Sequence, residues 1–332
     1  MSTTSRTAVE GKLKKSLARF KERIENGSYY EAQQTIKSIT NRYVHSKNFD
    51  AAIELLYQSS MILMEFKKFD ETSDLILYMI EIFEIENKPL EEFKKQSLNK
   101  VIELITVFPD DDLNLVNLAK ELNKFAIKKT GSEVGFVHLN QVLGEKLYYS
   151  GSAETVNLSE HYLLLSGTEE SRKLLIDLNF GAFMNDQPST FAYYTSRLVL
   201  PFIMLSNIKF ATLSLNDMIE RLKSSNRAAD FPFKLCESIL IIEAVSNDSE
   251  LDDCYKLFNF LQLLLELVQR SSPEHPTNFK VLTNRYKRIL EKHELLPKIN
   301  AIGLMYFSVS IIQKQGNMLQ DMMSGLLGGG SR

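Results

Sequence analysis

Apolar residues recur at i, i+3, i+4 and i+7 through most of the 332-residue chain, the spacing that lines one face of an amphipathic helix. No long stretch alternates apolar with polar, so strands are not expected to dominate. Near the N-terminus a shorter motif is laid over this rhythm. Tyr29-Tyr30-Glu31-Ala32, Phe49-Asp50-Ala51-Ala52 and Phe69-Asp70-Glu71-Thr72 stand twenty residues apart. Each sets an aromatic, an acid and a small residue at a helix start, after a polar break at Asn26-Gly27-Ser28, Ser46-Lys47-Asn48 and Lys67-Lys68. A period near twenty is one helix of about fifteen residues plus a short turn. Such a unit cannot bury its apolar face alone and must stack on its neighbours.

The pattern predicts helices at about 12–25, 29–45, 49–65 and 69–86. Beyond Lys88-Pro89 a helix resumes to Phe108, followed by helices at 110–129, 132–150, 152–166, 169–182, 188–206 and 208–224. Pro109-Asp110-Asp111-Asp112 reads as a helix start, with carboxylates at the positive end of the dipole. Gly151-Ser152-Ala153-Glu154 and Gly167-Thr168-Glu169-Glu170 each read as a stop followed at once by an N-cap. Between Arg227 and Leu257 the rhythm fails at Phe231-Pro232-Phe233, Ser238-Ile239-Leu240-Ile241-Ile242 and Ser246-Asn247-Asp248-Ser249. An irregular helix pair and a short β-hairpin both fit this segment. Helix returns at 256–270, 277–293 and 297–307. Phe49 and Phe69 are expected to be buried between successive hairpins, as are Tyr43 and Phe66, with Ala32 and Ala52 permitting close helix approach.

The resulting fold class is all-α: an α-solenoid of antiparallel helix pairs. Its expected divisions are a disordered 1–11, an N-terminal half at 12–150, a C-terminal half at 151–312 and a flexible Met/Gly-rich tail at 313–332. In that tail Met318, Leu319, Met322, Met323, Leu326 and Leu327 share one helical face.

Composition changes this picture little, and charge changes it more. The net charge of −3 makes no case for nucleic acid, yet its distribution is bipolar. Residues 1–47 hold ten Lys/Arg against four Asp/Glu, a net of +6. Residues 70–112 hold four Lys against twelve Asp/Glu, a net of −8. Solvated helix faces would account for this, and so would a surface matched to a charged partner. Cys236 and Cys254 are the only cysteines and form no CxxC pair, as expected of reduced cytosolic thiols. The first eleven residues lack the apolar core of a signal peptide, and no apolar run is long enough to span a bilayer. The expected compartment is the cytosol.

Candidate chemistry is absent. There is no GxxxxGK[ST] phosphate loop, and Gly131-Ser132-Glu133-Val134-Gly135 places its serine wrongly for a nucleophile elbow. His45, His138, His161, His275 and His293 have no second ligand one helical turn away. Neither catalysis nor a metal nor a cofactor is expected. A helical-repeat scaffold subunit of some cytosolic multiprotein assembly would satisfy all these observations.

Particular residues narrow that class. Tyr29-Tyr30-Glu31-Ala32, Asn41-Arg42-Tyr43-Val44, Ser46-Lys47, Ala52-Ile53-Glu54-Leu55-Leu56 and Thr72-Ser73-Asp74-Leu75 resemble the adaptor family of the guided-entry-of-tail-anchored-proteins (GET) pathway. Further matches are His161-Tyr162-Leu163-Leu164, Leu257-Phe258-Asn259-Phe260-Leu261-Gln262 and Gly316-Asn317-Met318-Leu319, so the resemblance spans the folded chain. It implies a right-handed, tetratricopeptide-like α-solenoid with a small β-hairpin in the C-terminal half, falling at 231–256. It also implies a cytosolic, non-enzymatic adaptor for inserting tail-anchored proteins into the ER membrane. The N-terminal half would dock a targeting ATPase. The C-terminal half would hold a ubiquitin-like-domain protein, which recruits a glutamine-rich tetratricopeptide co-chaperone. The basic surplus beside the Asn-Arg-Tyr-Val block then points to Arg19, Asn41, Arg42, His45, Lys47 and Asp74 as ATPase contacts. Phe231, Phe233, Leu257, Phe260, Leu261 and Leu264 would build an apolar groove for the ubiquitin-like partner.

Overall fold

A computed structural model of the chain describes residues 3–237, 239–270 and 276–312, which are mostly helical. Contacts divide the chain into two compact units, Met1–Ser171 and Arg172–Arg332. The expected tail at 313–332 lies outside the described residues.

In the first unit α1 (Thr3–Glu25), α2 (Tyr29–His45), α3 (Phe49–Glu65) and α4 (Phe69–Glu86) follow one another, three of them opening on the motif aromatic. The turns between them work through the backbone. Gly27, Lys47 and Lys67 adopt φ of 80°, 56° and 55°. The next amide then reaches back to a carbonyl near the helix end: Ser28 N to Arg23 O at 3.0 Å, Asn48 N to Tyr43 O at 2.8 Å and Lys68 N to Leu63 O at 2.9 Å. This left-handed closure satisfies the last carbonyls of each helix. Ser28, Asn48 and Lys68 make no side-chain cap bond.

A left-handed residue bearing a Cβ costs roughly 1–2 kcal/mol, while glycine costs about 0.5–1 kcal/mol in chain entropy. Lys67→Gly should therefore stabilise the protein by about 0.5–1 kcal/mol, read as a raised urea midpoint at unchanged slope. Gly27→Ala should shift the midpoint the other way. A midpoint lowered by Lys67→Gly would show that the lysine side chain, not the turn, decides this position.

The same unit continues through α5 (Leu90–Gln96), α6 (Leu98–Val107), α7 (Leu115–Thr130), α8 (Val137–Tyr149) and α9 (Val156–Ser166). Helices pack on neighbours one to three places along the chain: α1 on α2 and α3, α2 on α3 and α4, α3 on α4 and α6, α4 on α7, α6 on α8, α7 on α8 and α8 on α9. Ala32 and Ala52 are fully buried, as expected of close-approach positions. Phe49, Phe69, Tyr43 and Phe66 are only half-buried against the core rather than inside it. The motif aromatics are the first residues of their helices, at the rim of the stack, and the interior belongs to Leu55, Leu56, Leu75 and Ile76.

Several starts differ from the sequence reading, among them α8, at Val137 rather than 132, and the helix expected at 256–270, which begins at Ser249. Helix α1 begins at Thr3 rather than Lys12. No proline interrupts 3–11, and Gly11, whose Cβ position is open, weakens the helix by only about 1 kcal/mol without ending it. Helix α7 begins at Leu115, not at the aspartates. Asp112 instead accepts from the amide and side chain of Asn114 (2.8 and 3.0 Å), and Asp110 pairs with Lys146 at 2.6 Å, closing a turn of their own. Ser152 likewise turns the chain, accepting from Glu154 N at 3.3 Å, and helix α9 waits until Val156. Thr168 does cap, accepting from Ser171 N at 3.3 Å.

The units divide at 171/172 rather than at 150/151 because α8 and α9 form one tight hairpin. Ser159 donates to the Gly144 carbonyl at 2.8 Å, and a Cβ on Gly144 would stand 2.9 Å from Leu163 N. The Gly151 break is therefore a turn inside a unit.

The second unit contains most of α10 (Glu169–Met184), then α11 (Phe191–Met204), α12 (Ile208–Lys223), β1 (Lys234–Cys236), β2 (Ile239–Ile241) and α13 (Ser249–Gln269). It closes with α14 (Pro276–Arg285), α15 (Lys287–Lys292) and α16 (Leu296–Phe307). The irregular segment is the β-hairpin: β1 and β2 are antiparallel, with Lys234 opposite Ile241 and Cys236 opposite Ile239. Helix α13 is the hub, touching α11, α12, α14, α15 and β2. Its Leu and Phe residues from Leu257 to Leu265 are nearly all buried by these neighbours, while Glu250 and Lys256 stay exposed. Among the described residues no helix is long and apolar enough to cross a membrane.

Candidate partner-binding surfaces

The N-terminal candidates fall into two neighbouring groups. Arg19 and Arg42 face a groove of about 390 Å³ between α1 and α2, with Lys12, Lys15 and Tyr43 also lining it. Lys12, Lys15, Ser16 and Arg19 stand at i, i+3, i+4 and i+7 and so form one stripe along α1. Four exposed cations line this groove without a carboxylate among its lining residues. Around the other flank of α2, Asn41 accepts from the Tyr78 hydroxyl at 2.6 Å. There Asp74 accepts from Gln33 at 3.3 Å and Lys37 at 3.4 Å. His45 and Lys47 are exposed at the end of α2. Sequence reasoning missed Lys12, Lys15, Lys37 and Tyr78, although the spacing of the α1 cations carried the first two.

The C-terminal candidates are largely a correction. Leu257, Phe260, Leu261 and Leu264 are completely buried and Phe231 is 3% exposed, so these five form the core rather than a groove wall. Phe231 sits among Phe183, Phe191, Phe233 and Tyr255 at centroid distances of 5.2–6.5 Å. Tyr255 closes this cluster by donating to the Asp230 carbonyl. Phe233 alone is half-exposed, resting on Phe258 at 5.3 Å.

The groove lies beside them instead. A cleft of about 640 Å³ opens between the hairpin and helices α13–α15, walled by Ile239, Ile241, Leu263, Tyr286 and Ile289 together with the charged Glu243, Lys256, Arg285 and Arg288. Its position is set by Asn259, whose side chain donates to Ile242 O and accepts from Ile242 N, both at 2.8 Å, pinning the hairpin to α13. On the hairpin Leu235 is 68% exposed and on the strap after it Val245 is 84% exposed. The sequence signal for these was the β-branched run itself, but no local pattern said which side of it stays uncovered.

The remaining reactive groups are quiet. Burial pushes the Cys254 thiol up to about 12, so it remains protonated at neutral pH. Burial also lowers the pKa of His161, and burial with the charge of Lys292 lowers that of His293. Among the described residues no group of three His, Cys, Asp or Glu could hold a metal ion.

Stacked helix pairs, a small β-hairpin and an open groove in each unit define a helical-repeat scaffold. The chain belongs to the Golgi to ER traffic protein 4 family, whose sequence pattern matches residues 46–327, and its role is in Golgi-to-ER traffic. It is 28% identical to Golgi to ER traffic protein 4 of Aspergillus fumigatus, over 97% of this chain and 92% of that one. With the Schizosaccharomyces pombe protein of the same name it shares 25% identity over 97% and 96% of the two chains. Its fold is similar to that in a crystal structure of C. therm. Get4, with a TM-score of 0.75 and 24% identity over 96% of each chain.

Proposed function

We propose that the protein is a cytosolic, non-catalytic adaptor that serves the targeting of tail-anchored membrane proteins to the ER. The first unit meets a targeting ATPase through the cationic α1/α2 groove and its flank: Arg19, Asn41, Arg42, His45, Lys47 and Asp74. The second unit meets a ubiquitin-like-domain protein through the hairpin cleft, with Phe233 at its edge and the buried Phe231, Leu257, Phe260, Leu261 and Leu264 as its foundation. That partner brings a glutamine-rich co-chaperone and its client. A bivalent scaffold raises the effective concentration of loaded chaperone near the empty carrier without chemistry of its own.

The observation that carries this reading is the difference between the two grooves: one lined by four cations with no carboxylate among them, the other walled by Ile239, Ile241, Ile242, Leu263 and Ile289 among charges of both signs. A cationic face speeds encounter with an acidic partner and loses that advantage in salt. A cleft whose contacts are carried mainly by its isoleucines and leucine depends less on salt.

The test is binding of each purified partner between about 50 and 300 mM salt, where the screening length shortens markedly. Arg19→Glu with Arg42→Glu should slow association of the ATPase by about tenfold or more at low salt. The same pair should leave the ubiquitin-like partner bound. ATPase binding that is indifferent to both the double reversal and salt would remove the α1/α2 groove from the reading. Loss of the ubiquitin-like partner instead would mean that the two surfaces are assigned the wrong way round.

A further inference from the structure

Helix α1 carries more cations than its packing uses. Lys21 meets Glu65 of α3 at 3.9 Å, and Arg23 donates to the Thr35 hydroxyl at 2.5 Å. Lys12, Lys15 and Arg19, with Arg42 from α2, pair with no carboxylate among the described residues, and all four are exposed. They line the α1/α2 groove together with Ser16. Like charges gathered in one groove repel one another, so an anion placed among them is favoured.

Ser16 stands one helical turn from two of these cations, Lys12 at i−4 and Arg19 at i+3. Its hydroxyl donates to the Lys12 carbonyl at 3.0 Å. That is the back-bond of a helical serine, which adds nothing to helix stability and is readily given up. Along the chain Ser16 lies in a basic segment, flanked by Lys12, Lys14, Lys15, Arg19 and Lys21, and the nearest acids are Glu10 and Glu22. A kinase with an acidic substrate cleft selects such a segment by charge.

A kinase also needs its substrate chain extended, and α1 can supply that. It is the first helix of its unit, packed on α2 and α3. Between residue 10 and Phe20, which is buried, only Leu13 and Leu17 lean on the core, and both are half-buried. An end segment with so few buried contacts opens locally at low cost.

We propose that Ser16 is a phosphorylation site for a serine/threonine kinase that reads basic residues, and that the phosphoserine is held by the groove's own cations. The γ-phosphoryl group of a nucleoside triphosphate passes to Ser16 Oγ. The Oγ–P bond forms, the bond from phosphorus to the bridging oxygen breaks, the nucleoside diphosphate leaves, and the hydroxyl proton goes to the kinase's catalytic base. A phosphoserine carries about −1.5 to −2 charges near neutral pH and so cancels about half of the positive charge of the groove. The site itself is independent of which partner the groove serves. Its consequence rests on the proposed function: phosphorylation closes the groove to the ATPase and leaves the hairpin cleft free.

The test incubates the full-length protein with the catalytic domain of protein kinase C and MgATP and locates the phosphate by peptide mass spectrometry. Ser16 should carry it, and Lys14→Ala with Lys15→Ala should slow its transfer about tenfold. Phosphorus NMR then reads the groove. The phosphoserine should titrate about half a pH unit or more below the same group in a phosphopeptide of residues 11–21, and Arg42→Ala should remove much of that difference. An unmodified Ser16 would overturn the proposal. A titration equal to that of the peptide would also overturn it, by placing the phosphate outside the groove. ATPase association should be slowed both by phosphorylation and by the Arg19→Glu, Arg42→Glu reversal. Slowing by the reversal but not by phosphorylation would overturn the proposal. If neither slows it, the ATPase assignment falls, while a lowered phosphoserine titration still upholds the site.

Discussion

Phe93→Ala is expected to destabilise the protein by about 3–5 kcal/mol, the range for truncating a fully buried aromatic. Phe93 is 1% exposed on the short helix α5. Its ring meets Phe83 at 5.0 Å, Phe125 at 5.4 Å and Phe136 at 5.7 Å, and Lys129 lies 5.7 Å from its centroid. A seven-residue helix has little stability of its own, so this one ring ties it to α4, α7 and the start of α8. Since neighbouring repeats carry each other's stability, the damage should be concentrated in the first unit. Hydrogen exchange should show α4–α8 opening while α13 remains protected. Uniform loss of protection in both units would mean that the chain unfolds as one cooperative block. Phe49, which is half-exposed, should cost distinctly less when truncated.

Asp253→Asn is expected to cost about 1–3 kcal/mol at neutral pH, the range for losing a charged hydrogen-bond acceptor at a buried site. The Asp253 side chain is 5% exposed on α13, between Arg288 at 2.5 Å and Lys292 at 2.9 Å from α15. Lys292 also holds Glu250 at 2.8 Å. Burial pushes the Asp253 carboxyl up, but the hydrogen bond and charge of Lys292, with the charges of Arg288 and Lys256, bring it below its ordinary value. A carboxyl held lower in the folded state stabilises the fold above its unfolded pKa of about 4, and that contribution disappears as pH falls through the folded pKa. The gap between wild type and Asp253→Asn should therefore shrink as pH drops from about 5 toward 2. A gap of constant size would show that asparagine fails by packing rather than by charge. The cleft beside the hairpin includes Arg288 and Ile289 in its walls, so this ion pair also sets the wall against which a partner would lie.

Much of the fold was legible because it is written locally. Helices α2, α3 and α4 begin and end where the repeated motif and its breaks put them. Gly27, Lys47 and Lys67 occupy equivalent turns, twenty residues apart. The hairpin was one of two readings of a β-branched run, and family resemblance decided between them. The aspartates after Pro109 misled because the same residues that cap a helix also close an independent turn, and the ion pair of Asp110 with Lys146 is made to a distant helix.

The candidate sites were legible only in part, for a related reason. A stripe of cations such as Lys12, Lys15 and Arg19 is local, and its exposure follows from its polarity. The apolar residues of α13 gave no such guidance, because an apolar side chain is equally suited to a core and to a groove. Phe260 and Leu261 are buried because α11, α12, α14, α15 and the hairpin all close on one helix. The sequence alone determined the helical class, the repeat, the breaks between its helices and the charged face, since these depend on backbone preference and on neighbours within a turn or two. Only the tertiary structure decided which apolar surfaces remain open, the hairpin cleft among them. Burial there depends on whether a residue far along the chain arrives to cover it.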